Sequence, residues 1–202
     1  MTATTTTAGW LRAYTREVLA RQQELTSLDQ RLGDGDFGAN LAGGMRLVDG
    51  ELGQLPENAA PDEALSVAAT VFLDKVGGTS GPLFGLLFNE LAAAVRKSGK
   101  WDAAALAEGT RGGLAAIQRV GEAEPGDKTL VDALDPAVTA LAQNTGADLP
   151  TAFAAAAAAA RSGAESTAAG RARRGRASYV GAHAEGVPDP GAVAVALLFT
   201  VG

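Results

Sequence analysis

An all-α fold, eight helices closed into an antiparallel bundle, is what this chain predicts, and three observations carry it. Apolar residues fill 47% of the 202 positions but aromatics only 5%, so alanine and leucine must make the interior, and both favour helix. Apolar positions recur at helical spacing in segment after segment, with no convincing strand pattern. Helix start and stop signals divide the segments at short intervals, and short connections make antiparallel neighbours. A chain of this length has enough residues for one domain with a real core.

Taken in order, residues 1–8 are threonine-rich and are expected to be disordered, leaving 9–202 as a single domain. Trp10, Leu11, Tyr14, Val18, Leu19, Leu25 and Leu28 are spaced for one first helix over residues 8–32. A second should run from about 38 to 52. Pro61, followed by Asp62 and Glu63, opens a third that ends near 75. The stretch 76–82, VGGTSGP, leads into a fourth over 83–97. Asp102 is placed to cap a fifth, reaching about 120, and a polar loop precedes a sixth over 130–143. Asp148, Leu149 and Pro150 open a seventh, in which seven consecutive alanines permit close helix packing. Asp189, Pro190 and Gly191 turn the chain into an apolar eighth over 192–201.

The chemistry concentrates in residues 28–45, LDQRLGDGDFGANLAGGM. On an unbroken helix Asp29 and Asp36 would share a face and Asp34 would point away. Gly33 and Gly35 argue that the helix stops, and a positive-φ glycine turn brings Asp34 round to the other two. Three gathered carboxylates repel, and a hard cation removes that cost. Short aspartates without Cys or His nearby favour Mg²⁺ or Ca²⁺ over zinc. The plainer alternative is a solvated acidic turn after a helix. An EF-hand loop does not fit, because neither Asp29 nor Asp34 begins the required alternation or the glutamate at its end. A helix starting near Gly38 would set its first amides beside the aspartates, where phosphate oxygens bind.

Stretch 76–82 is a second glycine-rich helix start, suited either to a phosphate or simply to tight helix packing; it lacks the P-loop pattern. Asp127 and Thr129 read as helix caps. Four arginines stand within residues 171–176, either as a solvated basic face or with one reaching an anionic site. His183, the single histidine, has no sequence partner for a triad or metal cluster and reads as a surface or loop residue. A formal charge of −6 argues against nucleic acid as the main partner. Without cysteine there is no disulfide, thiolate nucleophile or cysteine-based zinc site, which fits a reducing cytoplasm. The opening MTATTTTAGW is not a secretory signal, and no apolar run is long enough to span a membrane.

Four segments together, residues 28–45, 76–85 (VGGTSGPLFG), 123–134 (AEPGDKTLVDAL) and 172–192 (ARRGRASYVG…DPGA), resemble the ADP/ATP-binding L subunit of dihydroxyacetone kinases and the equivalent domain of the single-chain kinases. The resemblance implies an eight-helix barrel with the nucleotide at one end. It matches Asp29, Asp34 and Asp36 to the family's ligands for two Mg²⁺ ions. It matches Phe37, Gly38, Ala39, Asn40, Thr79 and Ser80 to the turns that contact phosphate and nucleotide. Gly121 and Leu130 fall on adenine-pocket positions. Arg176, Asp189, Pro190 and Gly191 fall on segments that close over the nucleotide. Phe37 stands where the family commonly has His, which removes a polar group beside the phosphates. Leu130 replaces a common Met, a volume-conserving change.

The expected chemistry is phosphoryl transfer, with the aspartates and Arg176 in the catalytic set. No residue reads as a base for the acceptor, and in the family a separate K subunit holds the hydroxyketone. A stand-alone chain of this size is similar to the phosphoenolpyruvate-dependent type, whose bound ADP is rephosphorylated by a phosphocarrier M subunit. The alternatives are a two-chain kinase using exchangeable ATP, a non-catalytic nucleotide-binding regulator, or a purely structural bundle. Family members also bind transcription factors, so a transcriptional regulator is a further expected partner.

Overall fold

The computed structural model describes residues 6–174 and 185–202. Among them the chain forms α1 (Thr7–Ala20), α2 (Gln22–Leu32), α3 (Phe37–Leu52), α4 (Pro61–Asp74), α5 (Ser80–Ser98), α6 (Ala103–Gly121), α7 (Val131–Ala142), α8 (Leu149–Ser166) and α9 (Pro190–Thr200), with a 3-10 turn at Thr167–Ala169 and no strand. The cap expected at Asp102 is in place, and Asp148 and Asp189 cap the helices they open. Asp102, Asp148 and Asp189 each accept the amide three residues on, at 2.9, 2.8 and 2.8 Å.

One expectation needs correcting. The first helix is not a single rod but bends at Arg21 (φ −105°, ψ 12°), so the segment expected as one helix forms two, giving nine α-helices among the described residues. Backbone bonds continue through the bend, from Arg21 to the Glu17 carbonyl and from Leu25 to the Arg21 carbonyl, both at 3.0 Å. Apolar spacing therefore runs on unbroken and hides the change of direction. The bend lays α2 across α3, where the backbone of Gln22 and Thr26 meets Gly38. The helix also starts earlier than the frayed tail allowed. Thr6 caps it, and buried Thr7 donates its hydroxyl to the Pro61 carbonyl at 2.7 Å. The rest of the expected tail, residues 1–5, lies outside the described residues.

Each helix from α3 to α8 packs on its successor, and α9 packs back on α1 and α2, which closes the ring. Two buried hydrogen bonds seal that closure: Trp10 Nε1 donates to the Leu198 carbonyl at 3.0 Å, and the Tyr14 hydroxyl to the Ala194 carbonyl at 3.1 Å. Burial pushes the Tyr14 phenol far above its ordinary range, so it stays a donor. Helix α9 is buried on nearly every side, as an all-round apolar helix must be. With few aromatics, close backbone approach does the packing. At Gly109 a Cβ would sit 2.6 Å from the Leu91 Cα, so α6 lies directly on α5. No described helix is long and apolar enough to cross a membrane.

Antiparallel alternation has one consequence for function. Every second helix begins at the same rim, so the N-termini of α3, α5, α7 and α9 come together around one cleft. Their positive dipole ends face the same space.

Candidate functional site

The acidic turn follows α2. The Gly33 amide closes the helix on the Asp29 carbonyl at 2.5 Å. Gly33 keeps a negative φ of −159° and is needed for room: a Cβ there would lie 2.7 Å from Asp29 Oδ1. The reversal is made by Gly35, at φ +79°. Asp29, Asp34 and Asp36 thereby each bring an oxygen within 4.8 Å of the others. The first amide of α3, from Phe37, donates to Asp29 Oδ2 at 3.0 Å and anchors that carboxylate. Three oxygens at this spacing, with no nitrogen or sulfur donor in the group, fit a small hard divalent cation.

The cleft beside them encloses about 790 Å³, its open mouth included. The aspartates with Phe37 form one wall, Gly78, Thr79 and Leu83 a second, and Leu130, Asp189, Pro190 and Gly191 the far wall. Of the predicted residues, Asp29, Asp34, Asp36, Phe37, Thr79, Leu130 and Asp189 to Gly191 are thus brought together, with Gly78 and Leu83 added to them. Phe37 turns its ring into the core, 7% exposed, and leaves its backbone to the rim. Gly38, Ala39 and Asn40 form the first turn of α3 behind that wall, and the Asn40 side-chain nitrogen Nδ2 lies 3.5 Å from where a Cβ on Gly78 would sit. Ser80 begins α5. Gly121 ends α6 and does not line the cleft. Arg176 and His183 lie outside the described residues; Arg174, two positions before Arg176, lines the cleft and pairs with Glu122 and Asp127 at 3.4 and 3.6 Å.

Sequence reasoning gave no role to Lys128. It is 2% exposed, lines the cleft, and adopts a left-handed φ of 62°. A non-glycine residue there costs about 1–2 kcal/mol, so the surrounding bonds must hold it. Its Nζ donates to the carbonyls of Thr167 at 2.5 Å and Val187 at 2.6 Å. Burial lowers its pKa, while Asp189 and Asp132 oppose that change. Asp132 braces the loop by accepting the amides of Gly126 and Thr129 at 2.5 and 2.7 Å. Asp127 does not cap α7 as expected: its carboxylate accepts the Glu124 amide at 3.0 Å within the preceding loop, the N-cap position of α7 is Leu130, and only Thr129 reaches the helix start, accepting the Val131 amide at 3.2 Å. The one sequence signal for Lys128 is its position just before a helix start, which a solvated lysine shares.

Burial raises the Asp189 carboxyl from its ordinary 3.8 to about 7, with Asp132 adding repulsion against the Ala192 hydrogen bond and Lys128. A raised carboxyl binds more protons folded than unfolded, so its stabilising share is complete below pH 4 and lost as pH rises to about 7. Denaturant unfolding between those limits should show stability falling with pH more steeply in the wild type than in Asp189→Asn.

Fold and site together define a class: an all-helical barrel whose rim carries a carboxylate trio among converging helix starts. The chain belongs to the DAK2 domain family, whose model matches residues 31–201. It is 36% identical over 190 residues to "PEP-dependent dihydroxyacetone kinase 1, ADP-binding subunit DhaL" of Listeria innocua, covering 94% of this chain and 90% of that one. It is 36% identical over 184 residues to triokinase/FMN cyclase of Rattus norvegicus, covering 90% of this chain but only 32% of that protein, so it spans about a third of such relatives. The dihydroxyacetone kinase of C. freundii, solved in complex with AMP-PNP and Mg²⁺, superposes with a TM-score of 0.75 at 30% identity, over 96% of this chain and 32% of that one.

Proposed function

We propose that this chain is the nucleotide-binding subunit of a dihydroxyacetone or related hydroxyketone kinase, a phosphotransferase active with a partner. The observation that carries this is the convergence of Asp29, Asp34 and Asp36 with four helix N-termini on one cleft. The names of the DhaL relatives and the nucleotide and Mg²⁺ of the superposed kinase agree with it. The three aspartates would hold magnesium, two ions by analogy with the family. Bound there, magnesium neutralises charge on the phosphoryl group being transferred. Amides at the starts of α3 and α5 donate to phosphate oxygens, Leu130 and Gly191 give the base an apolar wall, and Arg176 adds positive charge from the segment before α9.

The cleft residues hold nucleotide rather than activate an acceptor hydroxyl, so the hydroxyketone is assigned to a K subunit. ADP remains bound and is rephosphorylated by a phosphoenolpyruvate-dependent M subunit, in the cytoplasm. A second reading, exchangeable ATP with the same K subunit, is favoured by the AMP-PNP in complex with the superposed kinase. Mass spectrometry of the purified chain, followed by turnover assays, separates them. ADP retained through desalting, with turnover that requires the phosphocarrier, supports the first reading. Nucleotide that washes out, with free ATP sufficient for turnover, overturns it.

A further inference from the structure

The far wall of the cleft is assembled from two separate parts of the chain. Leu130 comes from the loop before α7, and Asp189, Pro190 and Gly191 come from the start of α9. They meet closely: a Cβ on Gly191 would lie 3.2 Å from the Leu130 Cβ. The segment that delivers Asp189 is bonded to the 3-10 turn that follows α8, through Gly186 N–H to the Ala168 carbonyl at 2.9 Å and Asp189 N–H to Thr167 Oγ1 at 2.8 Å. From the Leu130 side, Lys128 reaches both strips at once. One buried ammonium nitrogen donates to Thr167 O and to Val187 O. An apolar residue of equal length would fill the space but take the ammonium from the Val187 carbonyl and leave the Thr167 carbonyl only the Gly170 amide, at 3.1 Å. The charge makes both bonds stronger than neutral ones, and the nearby carboxylates of Asp189 and Asp132 help keep it.

We propose that Lys128 is a positioning residue for nucleotide recognition: by fastening Thr167 and Val187 to the loop that carries Leu130, it sets the Leu130 and Gly191 surfaces against which the base rests. The inference rests on the nucleotide-binding function above and deepens it. It separates two halves of the ligand. The diphosphate engages the acidic turn and the helix starts, whereas the base engages the wall that Lys128 holds.

Calorimetric titration of the full chain with Mg-ADP and with Mg-pyrophosphate tests this. Lys128→Met should weaken ADP binding at least about tenfold while changing pyrophosphate binding by no more than about twofold. Thr167→Val, which removes the hydroxyl that receives the Asp189 amide, should show the same selective loss, and it decides the matter if Lys128→Met does not fold. Equal losses for both ligands, or no loss for either, would overturn the inference while the proposed function stands. A wild-type chain that binds neither ligand would overturn both.

Discussion

Asp34→Ala is expected to abolish magnesium-dependent nucleotide binding while leaving the fold intact. The Asp34 side chain is exposed at the apex of the turn made by Gly35. Exposed substitutions of this kind change stability by only about 0.5 kcal/mol, and this one also relieves repulsion from Asp29 and Asp36. Binding responds differently. With one of three convergent oxygens removed, two remain to hold a cation that prefers six oxygen ligands or more. Even residues that merely orient metal ligands are worth about 10–100-fold, so losing a ligand should cost about 100-fold or more in affinity for Mg-ADP. Titration calorimetry beside a thermal melt reads both quantities. An affinity within tenfold of wild type, with an unchanged melt, would show that the trio is only a solvated turn. Asp29→Asn gives the milder counterpart, because an amide oxygen can still accept the Phe37 amide while lacking the charge.

Gly38→Ala is expected to damage stability and binding together. A Cβ at Gly38 would lie 2.5 Å from the Gln22 carbonyl oxygen and 2.6 Å from the Thr26 amide, both backbone atoms of α2. Neither can step aside as a side-chain end would, so α2 and α3 must separate. Overpacking of this kind costs about 1–3 kcal/mol, and each kcal/mol lowers the melting temperature of a domain this size by about 2–4 °C. The same displacement pulls the α3 start away from Asp29, which lies on α2, and loosens the bond from Phe37 N–H. Gly109→Ala is the control, since its Cβ would meet the Leu91 backbone at the α5–α6 crossing, outside the cleft. It should lower the melting temperature comparably and leave the affinity of the folded protein unchanged. If Gly38→Ala behaves like Gly109→Ala, the α2–α3 contact does not govern the site.

Much of this arrangement is legible in the residues. The glycines around Asp34 announce the turn, and Asp102, Asp148 and Asp189 mark their helices because capping is a local interaction between a side chain and an amide three residues away. Gly33 shows the limit of that reading, since its need is space beside Asp29 rather than a positive φ. Nor do the residues themselves show that the Phe37 ring belongs to the core while its backbone amide anchors Asp29. Arg21 and Lys128 were not legible. A bend that keeps its backbone bonds leaves no trace in apolar spacing, and a lysine whose partners are 39 and 59 positions away carries no local sign of burial.

Composition, helical periodicity and capping residues by themselves determined an all-helical chain with an acidic turn between two of its helices, because each depends on neighbours within about a turn or two. Tertiary structure alone decided that α2 bends away from α1, that alternate helices start at one rim, and that a buried ammonium joins the two parts of the far wall. Those outcomes follow from closing the ring of helices, which brings together backbone groups far apart in the chain.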